Sequence, residues 1–482
     1  MKSFGTWCLI LVSLLAASSA VSSSARLAKA QDAAAGDKEA APAKEASAAA
    51  EEKSKRDQEE LELLRLLVDT LDQVERNYVK DVSRRELYEA AIRGLLTKLD
   101  QHSNYIPPSE LESFRGSVES EFGGIGIQVT IEGGRLIVIS PIVGTPAYRA
   151  GIQAGDWISA IDGKSTREIT IDEAVKRMKG RLGTKVQVTV VHARNGESET
   201  LSIERDTVRV ETVLGDRRKS DDSWDYFLDR DKKIGYLRIT TFGRHTTQEV
   251  RKAIKQLTAD GLRGLVIDLR FNPGGLLTSA IEISDLFVSQ GRIVSTVGRN
   301  VPEQVVYATE EGTYADFPIA VLVNRFSASA SEIVAACLQD HERAVVVGER
   351  TWGKGSVQNI IELEGGKSAL KLTTAGYQRP NGRNIHRFEG ATDEDEWGVK
   401  PNQAYEVKLS EAELRQWLDD RQARDIVRQR DAEEAPRADA DKQLAKALEY
   451  LAKKLGDAPA EKAADKKEEP SEKKDDASSP KP

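Results

Sequence analysis

The chain has 482 residues, a formal net charge of −8 and a pI near 5.5. That length calls for two or three domains, and an acidic balance without any basic stripe argues against a nucleic-acid binder. Two cysteines exclude a disulfide framework: Cys8 lies in the first apolar segment, and Cys337 reads as a small core residue of the run EIVAACL.

In chain order, Lys2, the apolar run WCLILVSLLAA and the small residues of SSAVSSSA read as a secretory signal peptide over residues 1–25. The run is short for a spanning helix, which needs about 20 apolar residues, so an uncleaved anchor is the weaker alternative. No other segment is long and apolar enough to span a bilayer. The mature chain is therefore expected to be exported to a periplasm or cell-envelope space, with no membrane span.

Residues 26–56 are rich in Ala, Lys, Glu and Asp without apolar periodicity and read as a disordered linker. Residues 57–115 read as an N-terminal helical region. Leu61, Leu64, Leu67, Val68, Leu71 and Val74 recur at helical spacing. Ser83 with Glu86 predicts a capped second helix, and Ser109 is a candidate cap for a third. Residues 118–205 change texture: GGIGIQVTI, GRLIVISPI and KVQVTVVHA predict strands of a small β-rich domain.

Between 206 and 407, strands such as GLVIDLR, IAVLVN and AVVVG alternate with helices, which predicts an α/β core with a mainly parallel sheet. In such sheets, sites gather at the carboxyl ends of strands, where FNPGG and NRFSASASE fall. Residues 408–456 predict a helical C-terminal extension and 457–482 a disordered tail. The fold class is thus multidomain α+β.

Three motifs carry chemistry. In SASAS, Ser329 with Glu332 fits a capping box. A helix N-terminus also offers unpaired N–H groups to an oxyanion, which suits a nucleophile. No histidine pairs with a serine by pattern, and no zinc helix motif, P-loop or G-x-S-x-G elbow occurs. A base is instead offered by GKGSVQ. Lys354 can serve once burial lowers its pKa, with Trp352 and Val357 as candidate pocket walls. On a strand, Lys354, Ser356 and Gln358 face one side, so Gln358 can orient the amine. In DLRFNPGG, Gly274 or Gly275 can bring a backbone N–H to a substrate carbonyl beside that of Ala330. The bland readings are a helix cap, a solvated turn lysine and an Asn-Pro turn.

Taken together and in this order, DLRFNPGG, NRFSASASEIVAACLQD and GERTWGKGSVQ resemble the carboxy-terminal processing peptidases, or tail-specific proteases. The resemblance covers roughly residues 60–405, with Trp352 where phenylalanine is expected. It implies a Ser–Lys endopeptidase with nucleophile Ser329, base Lys354 and assisting Gln358, needing no cofactor or metal. FGGIGIQV resembles the carboxylate loop of a PDZ domain, which puts Gly123, Gly124, Ile125, Gly126 and Ile127 at a peptide site. The expected partners are proteins or peptides with free apolar C-termini, and the resemblance points to a homo-oligomer through the helical ends. The alternative is a catalytically silent PDZ peptide-binding protein of the envelope.

Overall fold

The computed structural model describes residues 40–300, 302–427 and 441–456. The stretches read as signal peptide, as the first part of the linker and as the tail lie outside the described residues. Two compact units divide between Leu87 and Tyr88.

In the first unit, helix α1 (Ala40–Asn77) begins inside the stretch read as linker. Its Ala, Glu and Lys residues are strong helix formers. Residues 51–56 of that stretch are exposed, so a helix there needs no apolar periodicity. Ser83 and Glu86 form the expected reciprocal cap of α2 (Arg84–Leu96), with Ser83 Oγ accepting the Glu86 N–H at 3.1 Å.

The second unit begins within α2, and its first strand, Asn104–Ile106, lies inside the region read as helical. Three residues are too few to register a period. Helix α3 (Pro108–Glu119) starts with Pro108 at its first position rather than with Ser109 as cap. Proline suits that place because its missing N–H has no helical partner there.

A small antiparallel sheet follows, ordered Ile127–Glu132, Arg135–Pro141, Trp157–Ile161, Lys185–Val191, Ser198–Glu204. Val186, Val188 and Val190 alternate inward with polar residues outward, and they pack with Leu136, Val138, Ile158 and Ile161. Such alternation belongs to a sheet with one solvated face. Two helices complete this module, α4 (Pro146–Arg149) and α5 (Ile171–Met178). Thr170 caps α5 by accepting the Glu173 N–H. A ribbon of Glu121–Gly124 with Asp206–Arg209 ties the module's two ends together.

The core sheet contains four parallel strands, Ile234–Ile239, Gly264–Asp268, Ile319–Val323 and Ala344–Gly348. The last three are buried along their whole length, as parallel strands covered on both faces must be. Helices α6 (Thr246–Ala259), α7 (Leu277–Asp285) and α8 (Ala330–Asp340) share one apolar cluster with this sheet. Helix α9 (Glu411–Asp425) follows, and α10 (Lys442–Leu455) covers the opposite face through Ala447 and Leu451. The parallel sheet was expected. A second, antiparallel sheet was not: Ser368–Gln378 pairs with Asn104–Ile106, Arg292–Gly298 and Ser356–Leu363. Among the described residues, no helix is long and apolar enough to cross a membrane.

Candidate active site

Three loops meet where the parallel strands end. The strand Ile319–Val323 feeds Asn324–Ser329 into the start of α8, Gly264–Asp268 feeds DLRFNPGG, and Ala344–Gly348 feeds the loop holding Lys354. Ser329 sits at the N-terminus of α8 with φ 56° and ψ −115°, buried. A non-glycine residue there costs roughly 1–3 kcal/mol and persists only where its surroundings enforce it.

Glu332 is what enforces it. This fully buried carboxylate accepts the Ser329 N–H and the Lys354 N–H on one oxygen, each at 2.8 Å. Its other oxygen accepts from the Gly353 N–H and the Thr351 hydroxyl, each at 2.6 Å. Burial pushes the carboxyl pKa up, while these four donors oppose the shift. Sequence reasoning saw Glu332 as half of a cap. It is also the joint between the SASAS and GKG loops, and its spacing from Ser329 was the available signal.

Lys354 is half-buried, and its amine has no hydrogen-bond or ion-pair partner among the described residues. Burial lowers its pKa, with the nearby Lys371 charge adding to the shift; Glu332 and Asp100 act in the other direction. A cavity of about 420 Å³ opens beside it, lined by His102, Phe326, Trp352, His386 and Trp397 among others. Trp352 is 52% exposed on that wall, whereas Val357 packs against the main core. Burial also lowers the pKa of both histidines. Neither was flagged in the sequence, because each reaches the site from a distant segment.

Gln358 is less closely coupled than alternation implied. A bulge in the pairing falls between Val357 and Gln358. Its amide nitrogen donates to Ser356 Oγ at 2.9 Å and Thr373 Oγ1 at 3.2 Å, not to the lysine. Tyr377, missed in the sequence, packs next to Ser329. Burial pushes its phenol up to about 12, and a bond with the serine hydroxyl pulls back against that rise.

The glycine pair divides its roles. A Cβ on Gly274 would fall 2.7 Å from Ser329 Cβ and 2.9 Å from the Ala330 nitrogen, so this glycine permits the close approach. Its own N–H is spent on Asn272 Oδ1 at 2.8 Å. Gly274 is therefore corrected from candidate donor to spacer. Gly275 has φ 147°, and a side chain there would strike the Phe242 carbonyl. Neither the Gly275 nor the Ala330 N–H has a partner among the described residues. Ser327 Oγ donates to Leu269 and Ser331 Oγ to Asn272, so both outer serines are structural.

In the small β domain, Gly123 and Gly124 pair with Thr207 and Asp206 in the ribbon. The open part of the loop is therefore Ile125–Gly126. The N–H groups of these two residues have no partner among the described residues, and the Ile125 carbonyl accepts from Ala147. Gly126 has φ 80°, and a side chain would meet Thr145. Ile127 then begins an edge strand, the place where an extended peptide can add to a sheet.

A buried serine at a helix start on a parallel sheet, joined to a small β domain with an open glycine loop beside an edge strand, is the architecture of a serine peptidase with a PDZ domain. Residues 233–403 match the model of peptidase family S41, residues 137–192 a PDZ domain, and residues 21–107 the N-terminal domain of the activating protease CtpB. A carboxy-terminal-processing protease of Bartonella bacilliformis is 40% identical over 74% of this chain and 81% of its own length. The carboxy-terminal processing protease CtpA of Bacillus subtilis is 36% identical over 66% of this chain and 65% of its own length. A carboxyl-terminal-processing protease of a Picosynechococcus species is 38% identical over 65% and 73%. The chain belongs to the S41 carboxy-terminal processing proteases.

Proposed function

We propose that this peptidase works by a Ser–Lys mechanism on proteins whose apolar C-termini it captures in its PDZ domain. The observation that carries the reading is Glu332, which fixes the backbones of Ser329 and Lys354 through one carboxylate oxygen. Ser329 attacks the scissile carbonyl. Neutral Lys354 takes the hydroxyl proton and returns it to the leaving amine, and its lowered pKa favours the neutral form at the moment of attack. The Gly275 and Ala330 N–H groups receive the oxyanion. Gln358 orients the amine through its side-chain carbonyl, which has no donor among the described residues. The Ile125–Gly126 loop takes the terminal carboxylate, and the strand from Ile127 pairs with the tail. The reaction calls for no metal or cofactor, and the N-terminal segment sends the chain to the cell envelope.

The test is cleavage of an unstructured peptide with an apolar tail, presented as free acid and as C-terminal amide. Wild type is expected to cut the acid form and to act much less on the amide. Ser329→Ala and Lys354→Ala are each expected to abolish cleavage while leaving tail binding intact. Cleavage by either variant at the wild-type rate would overturn the dyad. Equal turnover of acid and amide would overturn the role of the PDZ loop.

A further inference from the structure

The C-terminal helices have no part in the chemistry above, yet they grip the loop that supplies Gly275. Arg270, second residue after the strand Gly264–Asp268, is buried with its guanidinium on Asp268. Its Nη1 also donates to Asp441 Oδ1 at 3.0 Å and to Gln443 Oε1 at 3.1 Å. Asp441 caps α10, accepting the Leu444 N–H. The other oxygen of Asp441 accepts from Trp417 Nε1, on α9, at 3.0 Å.

Phe271 comes next, at φ 59°. Its ring stacks on Trp417 with centroids 5.1 Å apart and on Phe326 at 5.0 Å, the planes within 14° and 13°. Phe326 lies three residues before Ser329. One acceptor, Asn324 Oδ1, takes the N–H of Phe271 and of Phe326, each at 3.1 Å. So α9 and α10 hold Arg270 and Phe271. Those residues hold the glycine loop from one side, and Phe271 holds the serine loop from the other. Buried ion pairs and aromatic stacks are directional, which suits setting a geometry better than adding bulk stability.

We infer that Trp417 and Asp441 are positioning residues, and that the C-terminal extension is a clamp fixing the oxyanion donor Gly275 relative to Ser329. This rests on the proposed Ser–Lys reading. A donor misplaced by about 1 Å can cost on the order of a hundredfold in rate without changing how substrate binds.

The experiment measures kcat and KM for a tailed peptide in the full-length protein. The variants are Trp417→Leu, which stays apolar but loses the stack and the bond to Asp441, and Trp417→Phe, which restores a ring for the stack without that bond. At a temperature well below the melting point of each, Trp417→Leu is expected to lower kcat roughly tenfold to a hundredfold, with KM within about twofold. Trp417→Phe recovers most of the loss. Asp441→Asn, which weakens the hold on Arg270, is expected to lower kcat in the same way. If Trp417→Leu fails to fold, Asp441→Asn still decides the matter. Wild-type kcat in a folded Trp417→Leu or Asp441→Asn protein overturns the clamp. So does a loss that follows the melting temperature alone. Failure of the Ser–Lys reading is separately visible, as cleavage that survives Ser329→Ala.

Discussion

Two glycine-bearing loops in this molecule leave backbone N–H groups open, and they are built in opposite ways. The loop at Ile125–Gly126 lies beside an edge strand; its carbonyls accept the Ala147 and Ile142 N–H groups and the Thr145 hydroxyl, and Ile125 anchors it in the β domain's own core. The loop at Gly274–Gly275 is packed against a buried serine at φ 56° and fastened through Asn272, Asn324 and Arg270. The proposed roles account for the contrast. A terminal carboxylate is a stable anion, already formed when it meets its loop. An oxyanion exists only during the reaction, so its donors must be in place beforehand.

The largest expected effect breaks the rigid side outright. Ser329→Ala should lower kcat/KM for a tailed peptide by roughly 10⁴-fold or more, while tail affinity measured by calorimetry stays within about twofold. Next is Glu332→Ala, which strips the shared acceptor from Ser329, Gly353, Lys354 and Thr351. Each buried donor left unpaired costs about 1–3 kcal/mol. We expect about a hundredfold loss of kcat with a clear drop in melting temperature, and less of both for Glu332→Gln, which keeps the shape.

The recognition loop should respond differently. Gly126→Val forces a side chain into Thr145 at a left-handed φ. It is expected to raise KM for the free-acid peptide roughly tenfold and to leave turnover of a tail-less substrate unchanged. If both substrates suffer equally, the two loops are not separable and the comparison fails.

The smallest expected effect is on stability, at Lys354. Burial, and then Lys371, hold its pKa below the value of a free lysine, about 10.4. Between those two values the unfolded chain binds more protons than the folded one, so stability rises with pH across that window. Cleavage should rise with pH through the lowered pKa as the amine becomes neutral. Lys354→Met removes the cost of a buried charge. It should raise the melting temperature by about 1–3 °C near neutral pH, a gain that fades as pH approaches about 10.4.

Much of the fold was legible because its signals are local. The fully apolar strands of the parallel sheet, the alternating strand Lys185–Val191 and the cap at Ser83 all follow from short-range pattern. The antiparallel sheet was not legible. Its strands come from three distant parts of the chain, residues 104–106, 292–307 and 356–378, and Asn104–Ile106 has three residues. At the site, SASAS, GKG and NPGG were each ambiguous alone and specific together.

What the sequence determined by itself is the inventory: the family, the order of the modules, and a serine, a lysine and a glycine pair at the ends of successive strands. Residue type and spacing are enough for that, since capping, turn geometry and apolar periodicity act over a few residues. The tertiary structure alone decided which groups are already spent. It engaged the Gly274 N–H and left that of Gly275 open. It turned Gln358 towards Ser356, made Glu332 a joint between two loops, and brought Trp417 and Asp441 to the glycine loop. Some of these bonds join residues two apart and others reach across 171 positions, but all depend on how the loops and layers pack, and no local pattern records them.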